Sequence, residues 1–425
     1  MVFLVGGFFL FYFGYSFLVY WDEGTLVMEA ISRSQALRIA LERAPLLSVE
    51  RRELLSSFGY YLAEDIFASF PHPLWDTAAM DGFALRSRDT VSAPVELEVV
   101  ERIPAGCMPE RVIRAGQAAE IMTGAPLPEG ADAVVKVEDT SGFGGGRVQV
   151  FRCVSVGEAV RRRGENIQAD ELAVAKGSRL RPEEIAILAT LGQTEVWVGS
   201  SPRVAILATG DEVVSWDEEP GPGQIRNSNG PMLFALIREQ FPCVPDLLGG
   251  IGDRESELKD RIARALLGYD LVLLTGGVSA GTKDFVPGVL EELGVELHFR
   301  RVHIKPGKPV IFGTWRGEER CVVVFGLPGN PVSSLVAFLT LVRPVMAKMM
   351  GASSVEFMTY FVRVGESLSP HSRERYLPLR LRGGEGEWVP TKGSGDLFCL
   401  RLMDGFGVVE ANKGVEGEVI FLPRR

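Results

Sequence analysis

Residues 270–285 read DLVLLTGGVSAGTKDF, and the first half of this run decides the fold. Four apolar residues, Leu271 to Leu274, lead through a threonine into Gly276 and Gly277. A continuous apolar run of that length, stopped by glycine, is the pattern of a strand buried on both faces of a parallel sheet. Two further runs share it: RVAILATG (203–210) and CVVVFGLPG (321–329). Helical segments separate them, GPMLFALIREQF (230–241) and DRESELKDRIARALLG (253–268), and PVSSLVAFLTLVRPVMAKMMG (331–351) follows the last. Strands alternating with helices predict a doubly wound, mostly parallel sheet.

In such a sheet ligands bind outside the carboxyl ends of the strands. Gly276, Gly277 and Gly281 let backbone N–H groups approach an anion closely, with Ser279 beside them and Asp284 at the tip. Asp211 and Glu212 follow the first strand, and Asp253 precedes a helix, where it also suits an N-cap. The stretch FGLPGNPVSS brings Ser333 to a helix N-terminus, and HIKPGKPVIFG sets Lys305 and Lys308 around a Pro-Gly turn. Each piece alone fits a plain turn. Together they predict a phosphorylated ligand with Mg²⁺, a hard cation usually held by carboxylates and substrate phosphates. An anion site without metal is the alternative.

The chain has 425 residues, a length that implies several domains, and a net charge of −10, which argues against electrostatic coating of nucleic acid. Its five cysteines are scattered and its four histidines lack ligand spacing. That pattern suggests neither a disulfide framework nor a zinc site, and is natural in a cytoplasmic protein.

Residues 1–21 are uncharged and about long enough to span a bilayer. They lack a basic leading region, and the first Lys or Arg is Arg33. Residues 1–27 therefore read either as a membrane anchor or as upstream sequence before a start at Met28. The second is the expectation, because Ser32 and Gln35 open a helix with a capping box and Pro45 ends it.

Texture divides the remainder. Residues 28–89 and 160–200 form an N-terminal α/β lobe, with two short amphipathic helices over 32–59. Residues 90–159 form a β-rich lobe, 201–351 the α/β sheet domain, and 352–425 a C-terminal β-barrel-like domain. RPEEIAILATLG (181–192) predicts a helix with Pro182 in its first turn. The basic spot RRRG (161–164) reads from composition as a solvated turn.

Eight motifs, in order, carry a family likeness: TAAMDGFAL, MTGAPLPEGADAVVKVED, RRRGEN, ATGDEVV, GQIRNSN, TGGVSAGTKD, IKPGKP and LPGNPVSS. From about Met28 onward the chain resembles the molybdopterin molybdenumtransferases, bacterial MoeA and the gephyrin E domain. The resemblance implies a MogA-like sheet domain and Mg²⁺-dependent insertion of molybdate into adenylylated molybdopterin, with release of AMP. It also implies a cytoplasmic homodimer whose site is shared between subunits, with the molybdopterin adenylyltransferase as pathway partner.

By motif position, Asp253, Asp284 and Glu212 would hold Mg²⁺, and Lys305 and Lys308 would contact phosphate or molybdate. Gly276, Gly277, Ser279, Pro328, Gly329, Asn330, Pro331 and Ser333 would cradle the ligand. Asp81 and Thr123 would face it from the lobe of the other subunit, and Arg373 is a looser match. Asn166 stands where the family usually has Asp, which raises the alternative of an impaired, gephyrin-like scaffold. A single-domain adenylyltransferase fits less well, because of the extra lobes. No residue distinguishes molybdate from tungstate.

Overall fold

Val204–Thr209, Leu271–Thr275 and Cys321–Leu327 lie side by side in a six-stranded sheet. This computed structural model describes residues 2–5, 8–11, 19–22, 25–251, 255–277, 285–318, 320–355 and 359–424, with side chains from Glu29 onward except that of Ile251. The strand order is Asp246–Ile251, Val204–Thr209, Leu271–Thr275, Cys321–Leu327, Pro309–Arg316, Val295–Arg301. The first four are parallel, and Pro309–Arg316 runs antiparallel to both neighbours. Every residue of Val204–Thr209 and Leu271–Thr275 is buried, which is why neither strand alternates polar and apolar residues.

Helices Glu255–Gly268 and Val286–Glu292 cover one face through Leu258, Ile262, Leu266, Val289 and Leu290. Asn229–Gln240 packs on Val204–Thr209 and on Pro331–Ala337. The long apolar segment Pro331–Met349 is the one described helix long and apolar enough to cross a membrane, and 94% of its most apolar window is buried in the fold. A π turn, Phe338–Val342, interrupts it just before Pro344, whose ring cannot continue the regular ladder.

Five strands, Tyr360–Val364, Glu374–Arg382, Glu385–Trp388, Gly405–Val409 and Glu418–Pro423, close into a ring, because Glu374–Arg382 pairs with both Glu385–Trp388 and Gly405–Val409. Val362, Leu379, Val409, Val419 and Phe421 fill it. The expected C-terminal barrel is therefore present. Ile304–Lys305, from the sheet domain, adds in parallel beside Glu374–Arg375.

Helix Arg33–Arg43 carries both halves of the capping box between Ser32 and Gln35. The second helix expected before residue 59 is absent. Val49–Glu53 is a strand, antiparallel to Glu195–Gly199, and a short 3₁₀ turn follows. Its Glu and Arg residues suit a helix, but pairing with the VWVG strand overrides that weak preference. The described residues among 2–28 contribute four short strands in two antiparallel pairs.

These elements belong to one compact unit; residues 65–175 and 186–193 make a second. Its five-stranded sheet runs in the order Ala133–Lys136, Gly82–Leu85, Gln117–Ile121, Val95–Ile103, Arg147–Val150. Alternate residues fill separate cores, with Phe83, Leu85 and Leu97 in one and Ala84, Ile103 and Ile121 in the other. Helix Pro182–Thr190 begins at the expected proline. All five cysteines are free.

Candidate active site

The turn Lys305-Pro306-Gly307-Lys308 is pinned at both ends. Lys305 lies in the pairing with Arg375, and Val302 N–H donates to the Lys308 carbonyl at 2.8 Å. The turn forms one wall of a cleft of about 380 Å³. Pro328 and Asn330, from the loop after Cys321–Leu327, and Ser333, in the first turn of Pro331–Ala337, form a second wall, and Arg373, Tyr376, Thr391 and Ser394 from the barrel a third. The barrel loop is tied to the sheet loop: Asn330 Nδ2 donates to Ser394 Oγ at 2.9 Å, and Val332 N–H to the Ser394 carbonyl at 3.2 Å. Ser334 Oγ donates to the Pro328 carbonyl at 2.5 Å.

Lys305, Lys308 and Arg373 all line this cleft, and among the described residues no carboxylate does. In a chain of net charge −10 this is a local concentration of positive charge. Arg373 donates from its guanidinium to the Ile304 carbonyl at 3.3 Å and from its backbone to His371 Nδ1 at 3.0 Å. His371 Nε2 lies 3.4 Å from Lys305 Nζ. Partial desolvation first, and the Lys305 charge second, hold the imidazole below its ordinary pKa.

The glycine loop adjoins the same strand ends. Gly276 N–H donates to the Leu327 carbonyl at 3.1 Å, and a Gly329 Cβ would stand 3.8 Å from the Gly276 Cα. Gly276 and Gly277 have φ of +88° and +62°. A Cβ on Gly276 would lie 2.4 Å from the Thr209 carbonyl oxygen, so glycine here serves backbone packing as well as ligand access. Glu212 is exposed, and its carboxylate folds back to 2.7 Å from where a Gly210 Cβ would stand. Asp253, Asp284 and Ser279 lie outside the described residues. Among the described residues no three His, Cys, Asp or Glu side chains cluster as a metal site.

In the second unit Asp81 and Thr123 meet directly. Thr123 donates from both its backbone N–H and its hydroxyl to Asp81 Oδ1, each at 2.7 Å. The backbone bond first, then the hydroxyl, holds this exposed carboxyl below its usual range. The basic spot is less free than its composition suggests. Arg163 N–H donates to Asp76 Oδ1 at 2.8 Å and Arg162 pairs with Oδ2 at 2.7 Å, together lowering the Asp76 pKa. Asn166 is exposed; its backbone N–H donates to the His72 carbonyl at 3.1 Å.

Residues 31–192 match the family model described as the MoeA N-terminal region, domains I and II, and residues 205–348 match that of a probable molybdopterin-binding domain. The molybdopterin molybdenumtransferase of Nostoc sp. is 38% identical over 369 residues, covering 84% of each chain. The chain belongs to the molybdopterin molybdenumtransferase family. The Bacillus subtilis family member is 37% identical over 69% of each chain. The molybdopterin biosynthesis MoeA protein of Pyrococcus horikoshii superposes with a TM-score of 0.76 at 30% identity, covering 93% of this chain and all of that one. The protein is a transferase with the MoeA fold, and its place is in molybdenum cofactor biosynthesis.

Within this transferase the structure gathers Lys305, Lys308, Pro328, Asn330 and Ser333 at one cleft with Arg373. Gly276, Gly277, Gly329 and Pro331 border the same loop. Sequence reasoning missed Tyr376 and Ser394, whose place depends on closure of the barrel. It also missed Asn229, which donates to the Gly329 carbonyl at 2.7 Å while its buried Oδ1 has no partner among the described residues. The motif GQIRNSN contained Asn229, but its contact across 100 residues has no local signature.

Proposed function

We propose that the chain inserts molybdate into adenylylated molybdopterin, releasing AMP, in a Mg²⁺-dependent reaction. The observation that carries this reading is the cleft into which Lys305, Lys308 and Arg373 converge. Molybdate is a tetrahedral dianion, and two ammonium groups with one guanidinium more than offset its charge and supply several donors. Water occupies roughly 30 Å³ per molecule, so about 380 Å³ holds the oxyanion and part of a second reactant as well.

Lys305, Lys308 and Arg373 bind and orient molybdate, with the Ser333 and Ser394 hydroxyls as further donors. The Gly276–Gly277 loop gives a phosphate-bearing ligand access to backbone N–H groups. The donor set assigned to the cation, Glu212 with Asp253 and Asp284, is all carboxylate oxygen, which suits a hard ion. Bound there, Mg²⁺ would neutralise phosphate charge and template the bond that is cleaved. We also propose that the chain acts as a cytoplasmic homodimer in which Asp81 and Thr123 of one copy face the sheet-domain site of the other. The molybdopterin adenylyltransferase would supply its substrate.

The test is AMP release from adenylylated molybdopterin with Mg²⁺ and molybdate, with Lys305→Ala and Asp284→Ala alongside and tungstate in a parallel tube. Molybdate-dependent release lost in both variants supports the reading. Tight binding without release would replace it with a scaffold and implicate Asn166. Faster turnover with tungstate would reassign the metal.

A further inference from the structure

We infer that Asn229 is a positioning residue for the oxyanion cleft: its amide holds the Gly329 carbonyl back, so that the Gly329–Asn330 peptide offers the substrate its N–H and not its oxygen. The inference deepens the function proposed above and rests on it. Asn229 is 7% exposed and does not line the cleft, so it acts through the loop it touches.

Each carbonyl of the loop Pro328-Gly329-Asn330 is tied down. Ser334 Oγ donates to that of Pro328 at 2.5 Å, Asn229 Nδ2 to that of Gly329 at 2.7 Å, and Ser334 N–H to that of Asn330 at 3.0 Å. Neither peptide bond within the loop is cis, and in a trans peptide the N–H points opposite to the carbonyl. Gly329 N–H and Asn330 N–H therefore face away from these anchors. Both residues are exposed, and neither N–H has an acceptor among the described residues. Pro328 and Asn330, on either side of Gly329, line the cleft with Lys305 and Lys308. Two backbone donors at the edge of a cleft that holds two ammonium groups suit an oxyanion.

The middle anchor matters most. Turning the Gly329–Asn330 peptide over would aim a carbonyl oxygen where an anion binds, and the sequence permits the turn. It takes Asn330 from its φ of −70° to a positive value, and asparagine is among the few residue types that enter that region readily. The bond from Asn229 opposes the flip.

The hydrogen bonding of Asn229 argues against a purely structural role. Asn227 Oδ1, not Asn229, accepts from the Gly230 N–H at the start of helix Asn229–Gln240. Asn229 Oδ1 is buried without a partner among the described residues. The one bond from its side chain reaches the carbonyl of an exposed glycine, which water would serve as well. A stranded buried acceptor costs the fold more than such a bond returns.

The experiment measures KM for molybdate and kcat from AMP release by the full chain, with thermal unfolding alongside. Asn229→Leu, of nearly the same shape, removes the donor and the stranded acceptor together. It is expected to raise KM about tenfold with kcat within about twofold, while the unfolding midpoint holds or rises. Hydrogen exchange over residues 328–333 gives a second readout: molybdate should slow the Gly329 and Asn330 amides in the intact chain and not in Asn229→Leu. Unchanged KM, amides that molybdate leaves unprotected in the intact chain, or parallel losses of stability and affinity would overturn the inference. Should Asn229→Leu not accumulate as folded protein, Asn229→Ala removes the same donor without an apolar branch and makes the same comparison. Lys305→Ala separates the two levels. If it leaves KM for molybdate intact the cleft assignment itself fails, and if it abolishes binding while the Asn229 variants do nothing only the positioning role fails.

Discussion

Asp81 and Thr123 lie 42 residues apart, yet one carboxylate oxygen of Asp81 accepts two hydrogen bonds from Thr123, both at 2.7 Å. The larger influence on the carboxyl comes from the backbone N–H, which no substitution except proline removes. Asp81 should titrate below the ordinary aspartate value of about 3.9. Its folded-state pKa is depressed, so the associated stability is present above that value and fades as pH falls through the lower one. Thr123→Ala should move the midpoint only part of the way up, as followed by carboxyl NMR. A full return to the ordinary value would mean that the hydroxyl, not the backbone, sets the shift.

His371 offers a second titration near the proposed oxyanion site. Desolvation and Lys305 depress its pKa, so it should titrate below about 6.5. The unfolded chain binds this proton first, so the group lowers stability as pH falls from that value through the folded-state pKa. Lys305→Ala should raise the midpoint, and bound molybdate should raise it in the intact protein. An imidazole signal insensitive to both would remove His371 from the cleft's electrostatics.

Asn330→Ala cuts the side-chain bond that holds the Ser394 loop to the sheet domain. Because the site is exposed, the cost to stability should be no more than about 1 kcal/mol. The cost to activity should be larger, since the third wall of the cleft then moves independently. Thermal unfolding beside AMP-release kinetics checks this; equal, small effects on both would show that the loop needs no tether.

Two glycines give opposed expectations. Gly276→Ala forces a side chain to 2.4 Å from the Thr209 carbonyl at φ +88° and should cost about 1–3 kcal/mol. Gly268→Ala, at the end of a helix with open space around it, should be neutral or stabilising by up to about 1 kcal/mol. Denaturant unfolding of the pair decides whether the glycine loop is held by packing.

The parts of the fold legible in the sequence are those whose burial leaves a periodic mark. Strands covered on both faces appear as unbroken apolar runs ending in glycine, and the helix at Arg33 declares itself through Ser32 and Gln35. Val49–Glu53 was illegible because its strand state is imposed by a partner almost 150 residues away, against the preference of its own side chains. The candidate site divides the same way. Lys305, Lys308, Asn330 and Ser333 announce themselves in Gly-Pro loops at strand ends. Tyr376 and Ser394 reach the cleft only because a barrel closes, an event with no local signature.

The Arg33–Glu374 contact spans 341 positions of the chain, and that separation has a meaning for biosynthesis. At a ribosomal rate of about 5–20 residues per second, tens of seconds pass between the emergence of the first partner and the second. Late in that interval, once Cys321–Leu327 has been made, the parallel sheet can assemble while the barrel wall of the cleft does not yet exist. A nascent chain ending before the barrel would carry the lysine turn without the third wall of the cleft. The cleft is thus completed late in translation, when the barrel strand bearing Arg373, Glu374 and Tyr376 finally reaches a helix made at the start.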